Sequence, residues 1–375
     1  MKKICFVLTA EFAVKAFLLD HLRALSKIYD VTVIVNTKNP NFLKEQGVNV
    51  KVIPLAIARD ISLVSDASCL MQLLKIFYQQ GFSAVHSITP KAGLLAMFAA
   101  WIARVPLRVH SFTGQVWVTK TGTKRLILKQ FDWLIALFST QNIVDSPSQC
   151  QFLIDENIIT IEKSNVFAKG SISGVDLARF KFNQEMRVAI RQQLNIPNEA
   201  IVFLFVGRLT KDKGVLDLAQ AWRDAHLSKA HLIYAGPDEQ NMQIQIARLA
   251  ENDNKNIHFI GYTNTPEDYM SAADVLCLPS YREGFGSVVI EAASIGIPAI
   301  ASSIYGITDA VVDGETGLLN DPGDIKAIKN CIENIINNQT LRLKLGEQAQ
   351  VRAVNHFDSK LITQEWVNFY NKNLK

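Results

Sequence analysis

PSYREGFGSVVIEAASIGIPAIAS, residues 279 to 302, decides the fold. The apolar run Val275–Leu278 leads into it, and a loop carrying Glu283-Gly284-Phe285-Gly286 follows. A helical pattern then runs from Gly286 through Ser287 to Ile295, and Ala299–Ala301 reads as the next strand. Strand, glycine loop, helix, strand is the repeating unit of a parallel sheet with helices on its faces. A helix N-terminus approached through glycines presents free backbone N–H groups and partial positive charge, which suits a diphosphate. Gly284 and Gly286 let that backbone approach closely. Glu283 in the loop and Glu291 in the helix are separated by seven residues and are expected to face one cavity. Carboxylates do not hold phosphates; they accept hydrogen bonds from sugar hydroxyls.

The segment GRLTKDKG, Gly207 to Gly214, follows the apolar strand Ile201–Val206. Arg208 and Lys213 therefore stand at the carboxyl end of a strand, on the rim where open parallel sheets bind ligands. A forked guanidinium and a point-like ammonium together suit a diphosphate leaving group without a divalent metal. Asp-x-Asp is absent from the sequence, so no metal and no separate cofactor are expected.

The same rhythm extends in both directions. Expected strands are Ile4–Leu8, Val31–Val35, Val50–Ile53, Ala84–Ser87, Arg108–Ser111, Asn142–Val144 and Ser164–Phe167, then Ile201–Val206, His231–Ala235, Ile257–Ile260, Val275–Leu278 and Ala299–Ala301. Helical patterns lie between them, including Phe12–Ile28, Ser62–Gln80, Lys91–Arg104, Gly122–Phe138, Val215–His226 and Met242–Glu251. Beyond the last strand only helices are expected, Ile325–Asn337, Leu341–Ala353 and Ser359–Asn371. The reading is α/β: two doubly wound domains in succession, joined near Asp176–Glu185, with a strandless helical tail that must pack on what is already built.

At these residues the chain resembles family 4 glycosyltransferases. Glu283 and Glu291 stand as in that family's E-x7-E pattern, GRLTKDKG matches G-R-[LF]-x-x-x-K-G, GETGLL (Gly314–Leu319) follows, and Gly174-Val175-Asp176 with Phe180 precedes the second domain. The resemblance implies a GT-B fold, with two Rossmann-like domains facing each other across a cleft and retention of anomeric configuration. It implies residues 1–180, completed by a C-terminal helix at 358–375, as the acceptor-binding domain and residues 181–357 as the nucleotide-sugar-binding domain. It further implies that Arg208 and Lys213 hold the diphosphate, that Glu283 lies near the donor sugar, and that Glu291 binds the ribose hydroxyls. Gly207, Gly284, Phe285, Gly286 and Ser287 complete the expected donor site. Arg208, Lys213 and Glu283 are its expected catalytic groups. On the acceptor side the candidates are His110 and Thr113, in VHSFTGQVW (Val109–Trp117), and Lys91, which opens a helix after Pro90. The loop after the first strand, Thr9 to Lys15, lacks the glycines usual in the family.

The expected reaction transfers a sugar from a nucleotide-diphosphate sugar, UDP-sugars first, to a hydroxyl of a glycan or polyprenyl-diphosphate-linked acceptor in surface polysaccharide assembly. A sugar-nucleotide 2-epimerase on the same fold, or a non-catalytic nucleotide-sugar-binding partner, are the alternatives.

Charge is uneven along the chain. Residues 1–182 hold 21 Lys and Arg against 12 Asp and Glu, a balance of +9; the remainder holds 18 against 23, a balance of −5. Lys120, Lys124, Arg125 and Lys129 lie beside Val116, Trp117, Leu126, Ile127 and Leu128. Basic residues interleaved with apolar ones on an amphipathic helix are expected to rest on an anionic leaflet without spanning it. No apolar run reaches the roughly 20 residues of a spanning helix, and the five scattered cysteines read as reduced core residues. The expected location is cytoplasmic, peripheral at the inner face of the cell membrane, with no nucleic-acid partner.

Overall fold

The computed structural model describes residues 1–57, 62–227, 229–250 and 255–374. The chain divides into two compact units, one formed by Met1–Ser173 with Ser359–Lys375 and the other by Gly174–Asp358.

In the first unit the strands are β1 (Lys3–Leu8), β2 (Asp30–Val35), β3 (Lys51–Pro54), β4 (Ala84–Ser87), β5 (Leu107–Phe112), β6 (Gln141–Val144) and β7 (Ser164–Asn165). They form a parallel sheet in the order β3-β2-β1-β4-β5-β6-β7. The second unit holds β8 (Ile201–Val206), β9 (Ala230–Ala235), β10 (Ile257–Gly261), β11 (Val275–Leu278), β12 (Ala299–Ser302) and β13 (Gly317–Asn320), ordered β10-β9-β8-β11-β12-β13 and again parallel. Strands covered by helices on both faces must be apolar throughout. Phe6, Val7 and Leu8 of β1 and Val202 to Phe205 of β8 accordingly have no exposure.

Each sheet reverses its strand order beside its first strand, between β1 and β4 and between β8 and β11. These are the switch points at which doubly wound sheets bind ligands, beyond the carboxyl ends of the strands.

Two expectations need correction. The helix expected over Phe12–Ile28 is two helices, Glu11–Phe17 and Leu19–Leu25, because Leu18 leaves helical geometry at φ −124 and ψ −13. The strandless tail is not strandless: Gly317–Asn320 pairs in register with β12. A four-residue edge strand opening on a glycine carries too little apolar alternation to be seen. The helix expected over Met242–Glu251 is seen at Met242–Ala250, and Glu251 lies outside the described residues.

The helix Ser359–Asn373 belongs to the first unit, where it packs on the helix Leu19–Leu25. Its Trp366 stacks on two imidazoles, His21 at 4.8 Å and His86 at 4.9 Å, both with ring planes nearly parallel to its own. The Ile172 carbonyl accepts from Trp366 Nε1 at 2.9 Å and from His21 Nε2 at 2.8 Å. His21 therefore carries its proton on Nε2, and Nδ1 accepts from the Thr363 hydroxyl at 2.9 Å. Tyr370 closes the other side through His86 Nδ1 at 2.7 Å.

Burial, opposed by the Ile172 hydrogen bond and Asp20, lowers His21 to about 4, and burial also drives His86 well down. A histidine depressed in the folded state takes up its proton only on unfolding. Its contribution is therefore full above its unfolded value and is lost as pH falls from about 6.5 towards 4. For His21 alone that loss is about 3 kcal/mol. Urea denaturation at pH 7 and pH 4.5 should show this fall, and His21→Gln should flatten it. Equal slopes for the two proteins would show that His21 is not the titrating group.

Candidate functional site

The sequence-chosen residues of the second unit come together at its switch point. Arg208 and Lys213 follow β8, Glu283 follows β11, and β8 and β11 are neighbours in the sheet. The two loops are joined by main chain and side chain. Tyr281 N–H donates to the Asp212 carbonyl at 2.9 Å, and Arg282 donates to the Asp212 carboxylate at 2.9 Å. Thr210 donates to the other Asp212 oxygen at 2.6 Å. Burial alone would raise Asp212, but its hydrogen bonds from Thr210 and Arg282, with the charge of Arg282, bring it below the usual carboxylate value. Tyr281 OH donates to Asp217 at 2.7 Å and so ties the second loop to the helix Val215–Asp224.

The two loops also meet at Gly214, whose φ is +65. A Cβ there would stand 2.0 Å from the Pro279 carbonyl oxygen. The position requires glycine on both counts, conformation and space.

Lys213 and Glu283 form an ion pair at 2.5 Å, their side chains 16% and 13% exposed. Ser280 donates to the same Glu283 oxygen at 2.8 Å. Arg208 stands in water by comparison, 42% exposed and paired with Glu239 at 2.8 Å. Gly207 donates its N–H to the Ala235 carbonyl at 2.9 Å, which fixes the start of the loop. Gly286, at φ +80, precedes the helix Ser287–Ser294, and Ser287 and Glu291 stand one turn apart on its partly exposed face.

Glu291 does not share the partners of Glu283. Its carboxyl is pushed up to about 7 by burial, with Arg179 opposing and Glu267 adding to the rise. The Phe285 side chain is 1% exposed and packs edge-on against Phe357 at 5.2 Å. It belongs to the core, which leaves only its backbone to a ligand.

On the first unit, Lys91 and Thr113 lie just beyond β4 and β5. Lys91 is paired with Asp66 at 2.7 Å and Thr113 is partly exposed. His110, the third candidate of this unit, lies deeper. It is 1% exposed, bonded to Ser87 through Nδ1 at 2.8 Å, and lowered by burial to about 3. A Cβ on Gly93 would fall 2.5 Å from its ring, so the helix Pro90–Ile102 closes over it. Its position at the end of an apolar strand was the signal for this burial.

The sequence reading passed over Asp212, Asp217, Tyr281 and Arg282. All but Asp217 lie inside the two quoted motifs, yet their role is to hold loops together, which residue type alone does not reveal. Among the described residues no group of three or more His, Cys, Asp and Glu is placed to hold a metal ion.

Residues 186–352 match the family model described as glycosyl transferases group 1. A capsular polysaccharide biosynthesis glycosyltransferase of Staphylococcus aureus, CapM, is 32% identical over 329 residues, covering 86% of this chain and 85% of its own. The Escherichia coli enzyme named UDP-Gal:alpha-D-GlcNAc-diphosphoundecaprenol alpha-1,3-galactosyltransferase is 26% identical, covering 88% and 86%. Among solved structures, HepE of Anabaena in complex with UDP and glucose superposes with a TM-score of 0.83 at 21% identity, covering 99% of this chain and all of that one. That likeness shows the fold, which is GT-B.

Proposed function

Because the chain belongs to the group 1 glycosyl transferases, we propose that it moves a hexose from a UDP-sugar, with retention and without a metal, to a hydroxyl of a lipid-linked glycan. One observation carries the reading: Lys213, Glu283 and the N-terminus of the helix Ser287–Ser294 stand at one switch point, on loops that hydrogen-bond to each other. Arg208 and Lys213 hold the diphosphate, and Glu291 accepts the ribose hydroxyls. Glu283 gives up Lys213 to the phosphates and turns to the sugar.

Retention follows if the acceptor attacks from the face the leaving group vacates, with the departing phosphate oxygen taking the hydroxyl proton. The protein then supplies charge at that diphosphate, the kind of preorganised stabilisation that contributes most in enzymes. The UDP in the HepE complex and the diphosphoundecaprenol of the E. coli relative's name support the choice of donor and acceptor. Thermal shift against nucleotide sugars tests the donor. UDP-sugars at about 100 times their dissociation constant should stabilise by roughly 2.7 kcal/mol, and stabilisation by GDP- or ADP-sugars alone would overturn that choice.

The first unit's role at a membrane rests on the helix Gly122–Phe138. Trp117 is not part of the docking face: it is 1% exposed, donates to Asp132 at 2.8 Å, and lies under Arg125 and Lys129, which share Glu156. Leu126, Ile127, Trp133 and Leu137 are exposed instead, between 41% and 59%, with Lys124 beside them. Among the described residues no helix is long and apolar enough to cross a membrane. An apolar stripe with flanking cations fits an anionic leaflet. Liposome flotation should show binding to anionic but not neutral vesicles, reversed by salt and weakened by Lys124→Glu with Leu126→Asp. Equal recovery in the soluble fraction with both vesicle types would remove the membrane from the account.

A further inference from the structure

The segment Gly174–Phe180 enters none of the steps above, yet it is pinned to the donor unit at several points. The Asp176 carboxylate caps the turn by accepting from the N–H groups of Ala178 and Arg179, at 3.0 and 3.2 Å. The Phe180 carbonyl accepts from Ser294 Oγ at 2.9 Å, which fixes the turn to the helix that carries Glu291. Arg179 then reaches across to the chain after β10. Its guanidinium clasps both oxygens of Glu267, each at 2.9 Å, and donates to the Asn264 carbonyl at 2.8 Å. A fork with both carboxylate oxygens and a carbonyl occupied has a fixed plane and a fixed position.

We propose that Arg179 is a positioning residue for the nucleotide half of the donor: it fixes the Asn264–Glu267 segment and sets a positive charge beside Glu291. The proposal rests on the reading in which Glu291 accepts the ribose hydroxyls. A carboxylate accepts two such bonds more strongly than a carboxylic acid does, and this carboxyl sits where burial and Glu267 both favour the acid. Arg179 is the group that opposes them. It gives its hydrogen bonds to Glu267 and Asn264 and acts on Glu291 through charge.

The charges facing Glu291 come from the turn 176–180, as Arg179, and from the helix Pro266–Ala272, as Glu267. The helix Gln339–His356 also packs on the Glu291 helix. There Gln350 is neutral and donates to the Ser294 carbonyl, while Arg352 donates to the Asp309 carbonyl.

UDP is the probe, titrated calorimetrically into the full-length protein between pH 5.5 and 8.5 alongside the parent. Arg179→Gln should raise the UDP dissociation constant about tenfold, the loss of roughly one strong hydrogen bond's worth. It should also move the fall in affinity on acidification to higher pH, while turnover at saturating donor changes less than about twofold. Glu267→Gln should move that fall to lower pH. Arg179→Lys keeps the charge but not the fork, so affinity should drop with the pH profile unmoved; it carries the test if the glutamine variant does not fold. If Glu291→Gln weakens UDP and Arg179→Gln changes neither affinity nor profile, Arg179 has no such role. If Glu291→Gln itself binds UDP normally, the ribose assignment fails instead.

Discussion

Arg208→Ala should lower kcat by about a hundred- to a thousandfold while raising the donor KM by less than about tenfold. Charge on the diphosphate grows as the glycosidic bond breaks, so a guanidinium there binds the transition state more tightly than the ground state. In the free protein that guanidinium is paired with Glu239, with both side chains about two-fifths exposed. An exposed pair of this kind is worth at most about 1 kcal/mol. Exchanging Glu239 for a doubly charged diphosphate is therefore cheap, and the pair does not lock the residue away from the substrate. Arg208→Lys should recover only part of the loss, since a point charge does not reproduce a two-pronged contact. Steady-state kinetics at saturating acceptor separate the two parameters. A variant with normal kcat and a raised KM would confine Arg208 to ground-state binding.

Gly214→Ala should abolish donor binding without unfolding the chain. The added Cβ would meet the Pro279 carbonyl oxygen at 2.0 Å, a backbone atom with no rotamer to escape into. The two loops must then separate by roughly 1.5–2 Å to regain ordinary contact distance. The Tyr281 to Asp212 bond and the Lys213–Glu283 pair span that junction, so both are lost with it. Gly314→Ala is the matching control, because Gly314 has φ +70 and nothing within 4 Å of a new Cβ. It pays only the conformational penalty of an alanine in that region, about 1 kcal/mol. Calorimetry with UDP and thermal denaturation should give normal affinity for Gly314→Ala and affinity reduced at least about a hundredfold for Gly214→Ala. Similar affinity in the two variants would mean that the junction does not shape the donor site.

Much of this was legible because buried parallel strands must be apolar from end to end. Val202 to Phe205 and Val275 to Leu278 announce themselves that way, and the glycine loops beyond them mark the ligand rim. What escaped was local or relational. Leu18 breaks a helix through a backbone angle that no residue type requires, and β13 is too short to show a period. His110 and Trp117 look like contact residues because they are polar-tipped aromatics near glycines and cations, yet both are core groups with their polar atoms bonded inward. Glu283 and Glu291 read as one pair from their spacing, whereas the fold pairs Glu283 with Lys213 and sets Glu291 near the opposed charges of Arg179 and Glu267. Lys213 and Arg179 lie 70 and 112 residues from Glu283 and Glu291 in sequence, where spacing carries no signal.

Retaining, metal-independent transfer from a UDP-sugar is read from the anomer first released. Proton NMR should follow slow hydrolysis of α-linked UDP-hexoses in EDTA, with no acceptor added and before the free sugar equilibrates. UDP should be released together with the α-anomer, and Arg208→Ala should abolish both. First appearance of the β-anomer, turnover only with added magnesium or manganese, or conversion of the donor to an epimeric sugar nucleotide would contradict that mechanism.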